Sequence, residues 1–477
     1  MSRHPMPSAD AAWLRMDRPE NLMAITSVLW FDRPLDVERL RGVLRERLVE
    51  AFPRYTQRAV DGGTLRGAHW EDDAAFDLGL HLHHVALPAP GGRAELQAYV
   101  ADLMGTPIDR SKPLWHAHVI DGYDGGSALV FRIHHCIADG IALSRVLLSL
   151  TDELPAGAPP PEIDGLSRAH RSRTAALTGP LGGVLSAGRS VAGALAHEGI
   201  ETLLHPRHAR ELAGGAAGVA RALVKELATL PDPDGPLHGP LSPGERVAWC
   251  EPVPLEDVKA IAHAHGVTVN DVLVAAVTGG LRRWLQTHGG ADREIHAMVP
   301  FNLRPLGAPL PRDLGNRFGL VLLALPLLEE DAAARLGEVG RRMRAIKESP
   351  EGAVSYGVLS TLGRTPAVVE SRVIDLFTAK GTLVLTNVPG PRHPVYLAGA
   401  QMQGVLVWAP CAGAVSMSVS VFSYDGAVTI GFMTDAGLVP DPSALVAEVD
   451  AELAALAPAS ASASEASSAS APAVRAG

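Results

Sequence analysis

The chain has 477 residues, 47% of them hydrophobic and 20% charged, with a formal net charge of −10. That length suits two domains of ordinary size, and that balance describes a globular chain rather than a disordered or fibrous one. The acidic excess and the lack of any Lys/Arg block argue against a nucleic-acid partner, and three scattered cysteines, Cys136, Cys250 and Cys411, form neither a disulfide framework nor a zinc spacing.

The first ten residues lack an apolar signal core, and no run reaches about 18 uninterrupted apolar residues. The expected setting is therefore the reducing cytosol, without a spanning helix. Residues 37–49 carry apolar side chains at Val37, Leu40, Val43, Leu44 and Leu48, the spacing of an amphipathic helix, with Asp36 in place as N-cap. The turn signal Asp124-Gly125-Gly126 precedes the short apolar run Ala-Leu-Val-Phe-Arg-Ile. This predicts a strand over 127–135 that delivers His134 and His135 at its end. Helical periodicity resumes over 141–150.

A Pro-rich stretch at 155–165 opens a region rich in Ala, Gly, Leu and Arg, which the Pro/Gly cluster at 231–243 closes. The chain thus divides into a domain at 1–154, a linker and helical crossover at 155–244, and a second domain at 245–457. A disordered Ala/Ser tail is expected at 458–477. In the second domain, residues 254–284 read as two helices broken near Gly266. Strands are expected at 295–299, 320–325, 382–385, 416–422 and 427–432, and Asp425-Gly426 marks a hairpin between the last two.

The segment His134-His135-Cys136-Ile137-Ala138-Asp139-Gly140 carries the chemistry. Neighbouring strand residues point to opposite faces, so the two histidines cannot serve one cleft alike: one is structural and the other functional. An imidazole has an ordinary pKa near 6.5, and its neutral form suits a general base acting on a hydroxyl. Asp139 is positioned to pair with a remote arginine and organise the loop, with Gly140 completing a turn. The competing reading is a pair of satisfied structural histidines. A metal site lacks a third ligand at a recognisable spacing.

This segment matches the HHxxxDG signature of coenzyme A-dependent acyltransferases. Pro113-Leu114-Trp115, Val269-Asn270-Asp271-Val272, Leu314-Gly315-Asn316-Arg317 and Asn387-Val388-Pro389-Gly390-Pro391 occur in the same order as motifs of one branch. Over roughly residues 7–450 the chain resembles the bacterial wax ester synthase/diacylglycerol acyltransferase family. The resemblance implies an α/β fold of two similar chloramphenicol acetyltransferase-like domains with mixed sheets, joined by a crossover, and an active-site tunnel between them. It implies His135 as base, His134 and Asp139 as structural supports, Gly140 in a tight turn, and Asn270 near the site. Pro113, Leu114 and Trp115 would shape the tunnel entrance, with Asn387 and Pro389 at the substrate. Asn270 also reads as an ordinary helix N-cap, Trp115 as core, and Asn387 with Pro389 as a strand-ending turn.

The implied substrates are acyl-coenzyme A and either diacylglycerol or a long-chain alcohol, with no cofactor. Peripheral contact with a membrane or lipid droplet would run through the Arg-bearing region 168–230, against which stands an ordinary solvated crossover. Phe301-Asn302 stands where many bacterial members read Val-Ser, which bears on acceptor preference. Arg304 is the candidate partner of Asp139. Two other readings are a carrier-protein-dependent condensation or polyketide-type acyltransferase, and a non-catalytic lipid-droplet-binding protein.

Overall fold

The strand Gly126–His134 is buried along its whole length, as a continuous apolar run requires when both faces of a sheet are covered. The computed structural model describes residues 3–63, 67–156, 229–290, 292–304, 309–349, 351–362 and 367–458. Gly126–His134 lies near the middle of a six-stranded sheet, between Ala24–Phe31 and Trp115–Tyr123. The hairpin from Trp115–Tyr123 turns at Asp124 and Gly125, with φ of 46° and 78°, as the sequence predicts for a two-residue turn of this hand. Leu82–Ala86 completes one edge, in parallel with Trp115–Tyr123.

The other edge comes from the far end of the chain. Ala400–Trp408 pairs antiparallel with Ala24–Phe31, and Tyr396–Leu397 pairs beyond it. The division at 245–457 does not anticipate this exchange: a strand of the second half completes the sheet of the first. Gly404 sits at the bulge in this pairing, where a Cβ would lie 2.1 Å from Cζ2 of Trp30. The ring of Trp30 stacks at 6.2 Å on Trp249, which lies 6.1 Å from Trp408, so three tryptophans knit the halves together.

The second sheet has seven strands. Ile295–Asn302, Leu383–Pro389 and Met417–Tyr424 run parallel to one another, flanked by antiparallel neighbours. Its hairpin between Met417–Tyr424 and Ala427–Asp435 turns at Asp425 and Gly426, as expected. Helices Leu255–His265 and Val269–His288 are separated at Gly266, a left-handed C-cap. Val269–His288 is buried along most of its length, and no single described helix is long and apolar enough to cross a membrane. The expected helix over 37–49 forms as Val37–Leu44, capped by Asp36 and continued by one wide turn at Arg45–Val49. Most of the proposed crossover, including the arginines between 168 and 210, lies outside the described residues, as does nearly all of the Ala/Ser tail.

Candidate active site

His134 ends its strand, and the next residue leaves the sheet, which sends the two imidazoles to different places. The Cys136 N–H donates to His134 Nδ1 at 3.2 Å, so the ring proton sits on Nε2. That nitrogen looks toward Asp17 Oδ2, 3.8 Å away. Burial lowers the pKa of His134, and Asp17 only partly restores it. For Asp17 itself burial acts upward, but His134, the Met23 N–H and Arg110 outweigh it and hold the carboxyl below its ordinary range. His134 is thus a buried structural histidine, its Nε2 within ion-pair distance of Asp17 but without a hydrogen bond among the described residues.

His135 packs in a cluster with two aromatic rings, Trp13 and Phe318, which also stack on each other at 5.8 Å. Trp13 stacks on it with centroids 4.0 Å apart and planes at 15°, and Phe318 lies on it at 5.4 Å. Its backbone is held on both sides: its N–H donates to Met23 O at 2.7 Å, and its carbonyl accepts from Asn316 Nδ2 at 2.8 Å. Nδ1 is sealed from solvent and has no hydrogen-bond partner among the described residues. Burial pushes the pKa of this imidazole down to about 4, so it is neutral at neutral pH.

His135 forms part of the wall of a cavity of about 210 Å³. The first half contributes Trp13, Ile25 and residues 139–141, and the second contributes Met298, Phe318, Val384 and Asn387, among others. The cavity therefore lies between the two sheets, and its walls are chiefly aliphatic and aromatic. Such a space favours a hydrocarbon chain over water.

Asp139 holds the loop below. It caps helix Gly140–Ser149, accepting from Ala142 N at 2.8 Å. Its other oxygen accepts from Arg317 N at 3.0 Å and from Arg304 Nε at 3.3 Å. The expected pair with Arg304 is present, and both side chains are nearly inaccessible. Arg304 also donates to the carbonyls of Leu314 and Gly315, which have φ of 52° and 82°. Gly140 departs from expectation. It lacks the positive φ of a tight turn, and a Cβ there would meet open space. It is the first residue of a helix and lines the cavity.

Three groups at the site escaped the reading of the sequence: Asp10, Trp13 and Phe318. Asp10 Oδ1 accepts from both Asn316 N at 2.9 Å and Asn316 Nδ2 at 2.8 Å. Burial raises its pKa to about 7, against the pull of those hydrogen bonds. Asp10, Trp13 and Asp17 are spaced i, i+3, i+7 around helix Ser8–Met16 and its C-cap, a period that was legible in the sequence.

Residues 6–273 match the wax ester synthase/diacylglycerol acyltransferase catalytic domain, and residues 314–457 match the C-terminal domain of the same family. The chain belongs to this family. It is an acyltransferase. O-acyltransferase WSD of Acinetobacter baylyi is 28% identical over 406 residues, 82% of this chain and 83% of that one. A Mycobacterium tuberculosis protein carrying a diacylglycerol O-acyltransferase name is 31% identical over 434 residues, 84% of this chain and 87% of the relative. The wax ester synthase/diacylglycerol acyltransferase from Marinobacter aquaeolei VT8 superposes with a TM-score of 0.67 at 22% identity, covering 95% of this chain and 98% of that one. The first condensation domain of the calcium-dependent antibiotic synthetase gives 0.58 at 16%, covering 95% of each chain. These two structures speak to the fold alone.

The remaining family motifs fall in unlike places. Pro113, Leu114 and Trp115 do not line the cavity, contrary to expectation. Trp115 is 1% exposed, stacks on His81 and Phe131, and donates from Nε1 to Tyr55 O at 2.8 Å. An indole and a leucine are buried here because they fill the core behind the sheet. The segment still reaches the site through its backbone, since Leu114 O accepts the His134 N–H at 2.9 Å.

Asn270 is not the N-cap of its helix. Thr268 is, in a capping box with Asp271. Asn270 does not line the cavity either; its Oδ1 accepts from Asn387 Nδ2 at 2.8 Å, and Asn387 does line it. Pro389 ends the strand Leu383–Pro389 outside the lining. At Gly390 a Cβ would lie 2.5 Å from both Phe422 Cε1 and Ser423 O, so this part of the motif serves close packing. Asn302, at the departure from the family pattern, lines the cavity. Cys136 is buried, and burial raises its thiol pKa well above the ordinary value, which makes it a poor nucleophile.

Proposed function

We propose that this acyltransferase moves a long-chain acyl group from coenzyme A to the hydroxyl of diacylglycerol or a long-chain alcohol, with His135 as general base. The observation that carries the reading is the neutral imidazole of His135, stacked on Trp13 and packed beside Phe318 on the wall of an apolar cavity. The names of the relatives support the acceptor class.

With Nδ1 sealed, Nε2 is the nitrogen available to a substrate. It takes the hydroxyl proton as the oxygen attacks the thioester carbonyl. The tetrahedral oxyanion then collapses, the C–S bond breaks, and the thiolate leaves with the proton returned from His135. A thiol of pKa about 8.5 is a competent leaving group, so the scheme needs neither an acyl-enzyme nor any group beyond the two substrates. A placed base supplies about 10²- to 10⁴-fold, and positioning in the apolar cavity supplies much of the remainder. Asn387, braced by Asn270, is a polar group of the family motifs on the cavity wall, as is Asp139.

Both substrates partition into lipid. We therefore place the protein in the cytoplasm, in peripheral contact with a membrane or droplet surface, and a flotation assay with phosphatidylglycerol vesicles reads that contact.

The deciding experiment is thiol release from palmitoyl-coenzyme A with dioleoylglycerol or hexadecanol as acceptor. The His135→Ala variant is expected to lose turnover at least about 10²-fold with an unchanged melting temperature. Near-normal turnover would remove His135 as the base. Activity with free palmitoyl-coenzyme A, without carrier protein, separates this reading from a condensation-type enzyme.

A further inference from the structure

The buried carboxyl of Asp10 takes no part in the scheme above, yet it is one residue removed from the base. Asp10 Oδ1 accepts two hydrogen bonds from Asn316, one from its main chain and one from its side-chain amide. The same Nδ2 donates its other hydrogen to the carbonyl of His135 at 2.8 Å. Both hydrogens of that amide are therefore committed, one to each partner, and the amide can turn only if both bonds break. Three residues distant in sequence are tied: Asp10 on helix Ser8–Met16, His135 past the end of its strand, and Asn316 in the loop that follows Leu314 and Gly315.

The carbonyl of His135 governs the imidazole, because it fixes the peptide plane from which the side chain projects. Trp13, three residues after Asp10 and on the same helical face, fixes the face of the ring. Asp17, at the C-cap of this helix, faces His134. One helix and its C-cap thus reach the histidine pair in three ways: the His135 backbone through Asn316, the His135 ring through Trp13, and the His134 ring through Asp17. The loop it holds tolerates little change: Gly315 has φ of 82°, and a Cβ there would stand 3.3 Å from Asp10 Oδ2.

We propose that Asp10 is a positioning residue for the reaction, acting on His135 through the side chain of Asn316. This rests on His135 being the base. The group does not touch substrate, because Asp10 is absent from the cavity wall. It sets the direction of the Nε2 lone pair, and a misplacement of about 1 Å at a base costs on the order of 10²-fold in rate.

The test uses Asp10→Ala, Asp10→Asn and His135→Ala in the full chain, assayed by thiol release from palmitoyl-coenzyme A with hexadecanol. Asp10→Ala removes the acceptor and is expected to lower kcat by about 10- to 100-fold, with KM for hexadecanol within about two-fold. Asp10→Asn keeps an oxygen that can accept both bonds and is expected to retain at least about a third of wild-type kcat. In a His135→Ala background, Asp10→Ala should change the residual rate less than about two-fold, because the two act as one unit. Melting temperature and circular dichroism report the folded fraction of each variant. The proposal is overturned if kcat of folded Asp10→Ala is unchanged, if KM alone rises, or if Asp10→Asn is as impaired as Asp10→Ala. Should Asp10→Ala fail to fold, the comparison passes to Asn316→Ala, which keeps the carboxyl and removes only the amide; a full kcat in that variant overturns the proposal equally. If His135→Ala keeps full turnover, it is the assignment of the base that fails.

Discussion

At His135 the surroundings set the working pH. The proposed base is the deprotonated imidazole, and burial holds its pKa at about 4, below the ordinary 6.5. The active form therefore persists above about pH 4 and is lost only as pH falls through that value. A profile of kcat/KM should be flat from about pH 5.5 to 8, where a solvated imidazole would show half-loss near 6.5; such a half-loss, persisting in Asp10→Asn, which removes a second group titrating at about 7, would mean that burial does not govern the base. The same shift makes the folded state a poorer proton binder than the unfolded chain between about pH 4 and 6.5, so this residue's contribution to stability declines as pH drops through that window. His116 and His118, also held low chiefly by burial, act with the same sign. Asp10 and Glu245 act oppositely. Burial raises them to about 7 and about 8, and both gain protons on folding as pH falls.

At the scale of elements, the loop from Leu314 to Arg317 and the loop from His135 to Asp139 are locked face to face. Gly315 N donates to Ile137 O at 3.0 Å, and Ala138 bridges to Gly315. The buried Asp139–Arg304 pair closes the contact. Removing one partner of such a pair leaves an uncompensated charge, at a cost of about 3–5 kcal/mol. Asp139 keeps its bonds from Ala142 and Arg317, so Arg304→Met is expected at the low end, about 3 kcal/mol, read by urea unfolding. Asp139→Asn retains an oxygen for the helix cap and should cost less. The reverse order would mean that a stranded guanidinium at Arg304 costs more than a stranded carboxylate at Asp139.

Across the whole molecule, Ala400–Trp408 binds the halves into one cooperative unit. It leaves the second half, pairs with Ala24–Phe31, and packs against Met417–Tyr424 of the other sheet. Without it, the eight residues of Ala24–Phe31 would present an unpaired edge, which natural sheets avoid. Calorimetry of the full chain should therefore show one unfolding transition, although the length suits two domains. Two resolved transitions would show that the exchanged strand does not couple the halves.

Much of this was legible in the linear order of residues. Both two-residue turns follow from Asp-Gly pairs, and the break between two helices from Gly266; His134 and His135 do diverge, but because the chain leaves the sheet after His134 rather than by strand alternation. The turns and the break are local, set by backbone sterics. Non-local choices were not legible. Whether Trp115 faces a tunnel or a core, which sheet receives residues 400–408, and that Asp10 and Asn316 meet at one carbonyl depend on which surfaces are buried together. Hydrophobicity is non-directional, so a buried indole and a cavity-lining indole look alike in a sequence. The tertiary structure distinguished them by supplying Tyr55 O for the nitrogen of Trp115 and leaving Trp13 to lie against His135 at the cavity.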